Sequence, residues 1–476
     1  MVLARFFSII LLASIIWSFV QLVSGQWHSL AFLLNGKQGQ SLVVDLWERH
    51  QVSDSLMTQL QAAGAQGLVK GDTVLRLTES GLVEVSRGHQ PADGLFPTCR
   101  YAVVDLWLPL LGYLMFFCGL MQLLTDSRAT EQISRWLTPF FTHIFPDLPS
   151  GHPAYGFMTM NFAANLLGLD NAATPFGLKA MQSMQETNPN KDVATNSQIM
   201  FLTLHAAGLT LIPTSLISYR AALNAANPTD IMLPLITTSF IGTVAALVLV
   251  GLRQRINLLR PIVVLVIGSM AALIAGILFF ITRLSLASKI TFTTNLSNGL
   301  LLLIILLIVA YAVWKEKVFR DQSTNIFDSF IAGAREGFQT GLRILPYMVA
   351  LLAAISLFRN SGLMELLISG LSKVLQRWGV QEGIIEALPV ALMRPFSAGG
   401  SRAFMLDAMK TYGPDSFAGI LSTLFQGAAE TTFYVVALYY GAVNVKNTRY
   451  TIGAMLLVDL ITVLTAIAVA TLYFTW

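Results

Sequence analysis

Arg394 and Arg402 bracket Ser397, Gly399, Gly400 and Ser401 within the apolar stretch ALMRPFSAGGSRAFM. Glycines let backbone N–H groups approach a ligand closely, and the N-terminal ends of half-helices favour anions. The competing reading is a tight turn whose arginines reach for the membrane interface. Further along, QGAAETTFY carries Gln426, Glu430 and Thr431 inside a spanning segment. A carboxylate there costs roughly 2.5–3.5 kcal/mol on insertion scales, so it must face a cavity or a partner. Glu430 is then a proton or cation site, or the ion-pair partner of an arginine such as Arg394.

An earlier stretch, LHAAGLTLIPTS, has His205, Thr210, Pro213 and Thr214. A histidine titrates near neutral pH, but inside a membrane it also serves as a hydrogen-bonded packing residue. Pro213 frees a backbone carbonyl that can serve as a ligand. The segment NFAANLLGLDNAATPFGLKAM adds Asn161, Asn165, Asp170, Asn171, Thr174 and Pro175. Each unpaired polar group in hydrocarbon costs several kcal/mol, so this reads as a broken or re-entrant hairpin lining a site. The solute-binding candidates are therefore Asn161, Asn165, Asn171, Thr174, His205, Thr210, Arg394, Ser397, Ser401, Gln426, Glu430 and Thr431. Glu430, His205 and Asp170 are candidates for a coupling ion. Asp459, in the last apolar segment, has no evident partner.

The elements that must position these residues are membrane helices. The chain of 476 residues is 54% hydrophobic and 12% charged, with mean hydropathy +0.64, whereas soluble domains carry about a quarter charged residues. A net charge of +4 does not imply nucleic acid, since Lys and Arg collect on cytoplasmic loops. Cys99 and Cys118 are too few and too apolar in setting for a disulfide framework or a cysteine metal site. No GxxxxGK[ST], HExxH or GxSxG run occurs, and no cluster suggests catalysis, a cofactor or a metal.

Residues 1–25 read as an uncleaved membrane anchor, with a cleaved signal as the competing reading. Residues 26–100 read as a polar extracytoplasmic insert with a hairpin, Thr73–Thr78 and Leu82–Ser86 turned by Glu79-Ser80-Gly81. Spanning helices are expected at 103–124, 197–219, 231–252, 261–282, 298–314, 339–358, 417–440 and 452–475. Arg253, Arg255 and Arg260, then Lys315, Lys317 and Arg320, mark cytoplasmic turns.

A shift of 220 pairs Thr174-Pro175-Phe176 with Arg394-Pro395-Phe396, Tyr219 with Tyr439, and Asn224 and Asn227 with Asn444 and Asn447. Leu108-Pro109 pairs with Leu345-Pro346 at a slightly larger shift. On the span count the second copy is inverted, a recurring design of secondary transporters. The copies are expected at 101–252 and 335–476, joined by connector helices over 253–334.

Residues 101–250 resemble spore maturation protein A through FPDLPSGHPAYG, MNFAANLLGLDNAATPFGLKAM, LIPTSLISYRAA and NPTDI. Residues 335–470 resemble spore maturation protein B through LMRPFSAGGSRA, YGPDSFAG, ETTFYVVALYYGAV and TRY. The chain looks like a fusion of the two, each half a nucleoside-recognition Gate domain. That domain is similar to the gate of ferrous-iron transporters and, distantly, to the hairpin core of concentrative nucleoside transporters. The resemblance implies solute transport by an elevator movement of the hairpin core. The insert at 26–100 departs from the family pattern.

The expected fold is an all-α integral membrane protein of two inverted-topology repeats with re-entrant hairpins, plus a small α/β-like periplasmic insert. The expected function is a multi-pass transporter of the bacterial inner membrane. It would take a small polar solute, nucleoside-like or anionic, coupled to a proton or sodium gradient. The alternative is a non-transporting component of envelope or spore maturation. The lipid bilayer is the expected partner, nucleic acid is not, and a homo-oligomer is left open.

Overall fold

Apolar runs bounded by arginine, proline or glycine form helices here, because backbone in hydrocarbon must satisfy its own N–H and C=O groups. The computed structural model describes residues 2–24, 29–35, 43–47, 56–57, 60, 68–70, 73–77, 83–87 and 94–474, the last apart from 150, 169, 285, 376 and 378. The chain opens with α1 (Val2–Val23) and α2 (Ser29–Asn35). Four short strands follow, β1 (Val43–Trp47), β2 (Leu68–Lys70), β3 (Thr73–Leu77) and β4 (Val83–Arg87). They form one antiparallel sheet in the order β1-β4-β3-β2. The expected hairpin is the β3–β4 pair, with Leu75 opposite Val85 and Arg76 opposite Glu84. Its turn, at Thr78 to Leu82, lies outside the described residues.

Six helices among the described residues are long and apolar enough to cross a membrane. They are α3 (Leu95–Asp126), α9 (Met232–Arg253), α10 (Pro261–Thr282), α11 (Leu286–Trp314), α13 (Ile326–Asn360) and α19 (Thr451–Phe474). A helix of 22 residues rises roughly 33 Å, enough for the roughly 30 Å hydrocarbon core. The chain is therefore a multi-pass membrane protein. On α10, Leu265, Leu273 and Phe279 are exposed, as side chains facing lipid would be.

Between these spans lie shorter helices. The first set is α4 (Ala129–Ile144), α5 (Ala154–Leu166), α6 (Asp170–Glu186), α7 (Asn196–Ala207) and α8 (Thr214–Ala222). After the small α12 (Glu316–Asp321), the second set is α14 (Leu363–Leu375), α15 (Glu382–Met393), α16 (Ala398–Tyr412), α17 (Phe417–Gly427) and α18 (Thr432–Ala442). Each set is one amphipathic helix, a helical hairpin and a pair of short consecutive helices in sequence.

Two of the expected spans are corrected by this arrangement. Residues 197–219 and 417–440 are not continuous helices: each is two half-helices, α7 with α8 and α17 with α18. In the first, Gly208 ends the helix in the left-handed region (φ 56°) and Pro213 has no N–H to continue it. The hairpin alignment is corrected as well. Pro175 sits inside α6, whereas Pro395 sits in the turn between α15 and α16. The hairpin helices end at Leu166 and Met393, 227 positions apart, so Thr174 and Arg394 occupy different places in their hairpins. The shift of 220 holds further on: Asn224 and Asn444 share the left-handed conformation, at φ 58° and 55°.

The long helices α3 and α13 pack along their length. Gly333, Gly337 and Gly341 recur every four residues on α13, and a Cβ at Gly337 would lie 2.7 Å from the Leu114 carbonyl oxygen. Small residues at this spacing let two backbones meet closely, which drives association where no hydrophobic effect operates. The Trp107 indole donates to the Gly341 carbonyl at 2.8 Å and fixes the register. One apolar core joins α3, α8, α13, α15, α16, α17 and α19. Another joins α5, α6, α7, α9 and α18 with the first part of α19.

Candidate functional site

The interruptions converge. The α5–α6 turn passes through Gly168 (φ 73°), which packs so closely on the Ile212 carbonyl that a Cβ has no room. Leu211, between α7 and α8, donates its N–H to the Leu166 carbonyl at 2.9 Å. In the second set Phe433 donates to Pro395 at 3.0 Å, tying that interruption to its own hairpin turn. The Glu430 N–H donates to the Ala206 carbonyl at 2.8 Å, joining one interruption to the other. Backbone groups freed from the helices thus find partners in one another, which is how irregular backbone survives at membrane depth.

These segments enclose a cavity of about 270 Å³. Asn165, Thr174, His205, Thr210, Arg394, Gln426 and Glu430, seven of the sequence candidates, line it. The starts of α8 and α16 reach its wall through Thr214 and Ala398, and α6 adds Thr174 from its second turn. Helix starts present partial positive charge. With Arg394 and Arg402 against Glu430, the charged side chains of the wall sum to a net positive charge.

Arg394 is the hub. Its Nε donates to the Ala429 carbonyl at 2.6 Å, and its guanidinium lies 3.8 Å from the Glu430 carboxylate. The arginine is buried while the Glu430 side chain is 44% exposed. The carboxylate therefore keeps free acceptor capacity toward the cavity. Arg402 stacks over the Tyr219 ring at 5.5 Å, which steadies its planar head at the cavity wall.

His205 is held on both ring edges. Nδ1 lies 3.0 Å from Asn161 Oδ1 and 3.1 Å from Asn165 Nδ2, and Nε2 lies 3.2 Å from the Tyr439 hydroxyl. Asn161 commits its Nδ2 to the Ala173 carbonyl at 2.7 Å, which leaves its oxygen facing Nδ1. The histidine borders the cavity and also knits α5, α7 and α18 together.

The remaining candidates lie elsewhere. Asn161 is buried behind His205. Ser397 caps α16 by accepting the Gly400 N–H at 3.0 Å, and Ser401 donates to the Val390 carbonyl at 3.0 Å inside the hairpin. Thr431 is buried, and among the described residues its hydroxyl has no hydrogen-bond partner. Asp170 and Asn171 begin α6, and their side chains lie outside the described residues. Asp459 does have a partner: Thr432 donates to it at 2.6 Å.

Tyr434 and Tyr439 also line the cavity, and sequence reasoning gave them no role there. For Tyr439 a signal existed, because the shift of 220 pairs it with Tyr219, another wall residue. Among the described residues no group of three His, Cys, Asp or Glu side chains is placed to hold a metal ion.

Loops seal both ends of the interrupted spans. Arg220, wholly buried, donates to the Pro414 carbonyl at 2.5 Å and pairs with Asp415 at 2.9 Å. The Ala226 N–H donates to the same carboxylate at 2.7 Å. At the other end Ala194 N–H donates to the Asn447 carbonyl at 2.9 Å, and Lys446 N–H to the Asp192 carbonyl at 3.0 Å.

Known proteins match these same regions. The Gate family, described as nucleoside recognition, matches residues 107–223 and again residues 341–446. Spore maturation protein A of Bacillus subtilis (strain 168) is 41% identical over 140 residues, 29% of this chain and 71% of that protein. Spore maturation protein B of the same organism is 37% identical over 148 residues, 31% of this chain and 82% of that protein. No solved structure matches the chain.

Proposed function

The chain belongs to the Gate family of nucleoside-recognition membrane proteins, related to spore maturation proteins A and B, and from that premise we propose that it is a secondary transporter. It carries a small polar solute, nucleoside-like or anionic, across the bacterial inner membrane, driven by a proton or sodium gradient. The observation that carries this reading is the cavity where four interrupted elements meet, walled by Arg394, Arg402, Glu430, Asn165 and Thr174. Discontinuous helices with polar groups converging at one place are how secondary transporters build a solute site.

The two Gate repeats, 101–252 and 335–476, are inverted in this reading, with 1–25 an anchor, 26–100 on the outer side and 253–334 a connector. Support comes from the rims. The loop before α7 bonds to the loop after α18, and the loop before α17 bonds to the loop after α8. Spans joined start to end at both rims run antiparallel. Moreover, Gly242 of α9 faces Thr462 of α19, its own counterpart at the shift of 220, as a local two-fold axis requires.

In mechanism, Arg394 and Arg402 with the starts of α8 and α16 attract the solute's negative end. Glu430, Asn165, Thr174 and Gln426 take its donors and acceptors. Releasing the solute to the other side requires one rim to open while the other stays bonded.

The test is uptake into proteoliposomes of radiolabelled uridine, glutamate, a dipeptide and succinate under an imposed proton or sodium gradient. One class accumulates and is lost when the gradient is collapsed, and Glu430→Gln removes the accumulation while the protein remains folded. A folded protein that accumulates none, and whose melting temperature none of them raises, is a non-transporting component instead.

A further inference from the structure

Arg394 borders a second, smaller cavity on its far side. That space measures about 20 Å³ and is walled by Asp459, Thr462, Arg394, Phe425 and small apolar residues. It is enough for one water molecule, which needs roughly 10–15 Å³ of such space and polar partners. Asp459 and Thr462 are three apart on α19 and so share a helix face. Both are buried, at 8% and 3% exposed. Thr432 donates to Asp459 Oδ2 at 2.6 Å and, among the described residues, is the one hydrogen-bond donor to that carboxylate. The Thr462 hydroxyl has no hydrogen-bond partner among the described residues.

A carboxylate in a spanning helix is costly unless it is paired or protonated, and such residues mark ion pathways. Asp459 has no arginine or lysine within ion-pair distance among the described residues. Arg394 shares the cavity wall with it but is committed to Ala429 and Glu430. Besides Asp459, Arg394 is the one charged group on that wall, and Glu430 lies beyond it. The helices packed on α19, namely α7, α9, α11, α17 and α18, contribute no other charged side chain to the wall. His205 of α7 is turned toward Asn161 and Tyr439.

We propose that Asp459, with Thr432, Thr462 and one bridging water, is a proton-binding site separate from the solute cavity and joined to it by Arg394. A proton relayed through the bridging water, which takes one up from the aqueous phase as it passes one on, leaves Asp459 as the neutral acid, and of the two carboxyl groups Arg394 then faces only Glu430 as an anion. Loss of that proton leaves a carboxylate that competes with Glu430 for the same guanidinium. Proton occupancy on one side of Arg394 thereby sets the charge that a solute meets on the other. The proton site stands without the transport reading; only its link to solute binding rests on it.

The test is infrared difference spectroscopy of the full chain in liposomes during pH steps, reading the carbonyl stretch of a protonated carboxylic acid and its shift in deuterium oxide. A titrating band is expected that Asp459→Asn removes, Glu430→Gln leaves, and Thr462→Val moves in frequency. Asp459→Glu keeps the band at a new frequency, which guards against a misfolded asparagine variant. A band that survives Asp459→Asn, or no protonated acid in the folded wild type at any pH, overturns the proposal. The measurement needs no solute, so a failed uptake screen beside an Asp459-dependent band would sink the transport reading alone.

Discussion

In the first repeat the spanning helix stops at Gly208, in the left-handed region, and restarts after Pro213. In the second repeat it stops at Gly427 and restarts at Thr432, with neither a proline nor a left-handed residue at 428–431. What holds that second gap open is tertiary: Glu430 N–H goes to Ala206, Phe433 N–H to Pro395, and the Ala429 carbonyl to Arg394. One interruption is written into its own backbone, and the other is imposed by neighbours. The imposed one carries the charge, so the groups that would meet a solute are also the groups that keep the helix broken. The rims differ in the same spirit. Arg220–Asp415 is anchored on a wholly buried arginine, whereas Lys446–Asp192 lies in the open.

The largest effect falls on the imposed gap. Arg394→Gln strands the Ala429 carbonyl and releases Glu430, which is expected to abolish the proposed uptake and to lower stability by about 2–3 kcal/mol, read as a fall in melting temperature. Full activity in this variant would break the comparison, because the second gap would then need no support.

Next comes the rim contrast. Arg220→Met removes a buried donor set from Pro414 and Asp415 and costs about 2–3 kcal/mol, whereas Lys446→Met leaves the melting temperature unmoved. Equal shifts would mean that the two rims are energetically alike.

Gly208→Ala follows, at about 1 kcal/mol, since an L-residue pays for the left-handed conformation. Gly427→Ala, outside that region, should fail instead by collision with Leu216 and Leu235. Thermal unfolding of the pair separates strain in the backbone from crowding by neighbours.

The smallest effect is Thr431→Val. Its hydroxyl is buried without a partner among the described residues, so an isosteric apolar side chain changes stability by about 0.5 kcal/mol or less, in either direction. Ser401→Ala, which removes a bond to Val390, should cost about 1 kcal/mol in the same unfolding measurement.

Membrane class, six long spans, two polar hairpins and a Gate resemblance were all legible, because insertion into hydrocarbon punishes polar residues and so leaves them visible in sequence. Pro213 was legible as a residue that frees a carbonyl, but residues 197–219 were expected as one helix, and Gly208, which ends the first half in the left-handed region, was the signal left unread. Nothing in QGAAETTFY foretold the other interruption, since its residues suit a helix and only distant partners unwind it. The Thr174 and Arg394 alignment misled because identical Pro-Phe pairs fall at different places in the two hairpins. Tyr439 went unassigned because an aromatic in an apolar helix looks like packing until its hydroxyl is seen against His205.

Sequence alone determined that this chain lies in a bilayer, that it is built from two related halves, and that a few expensive polar residues must find one another. It did so because spacing and transfer cost are local properties. Which of those residues share a wall was decided by tertiary structure. Asp459 ended behind Arg394 and Glu430 in front of it because the crossing of α9 with α19 and the meeting of the broken helices fix positions that no linear pattern encodes.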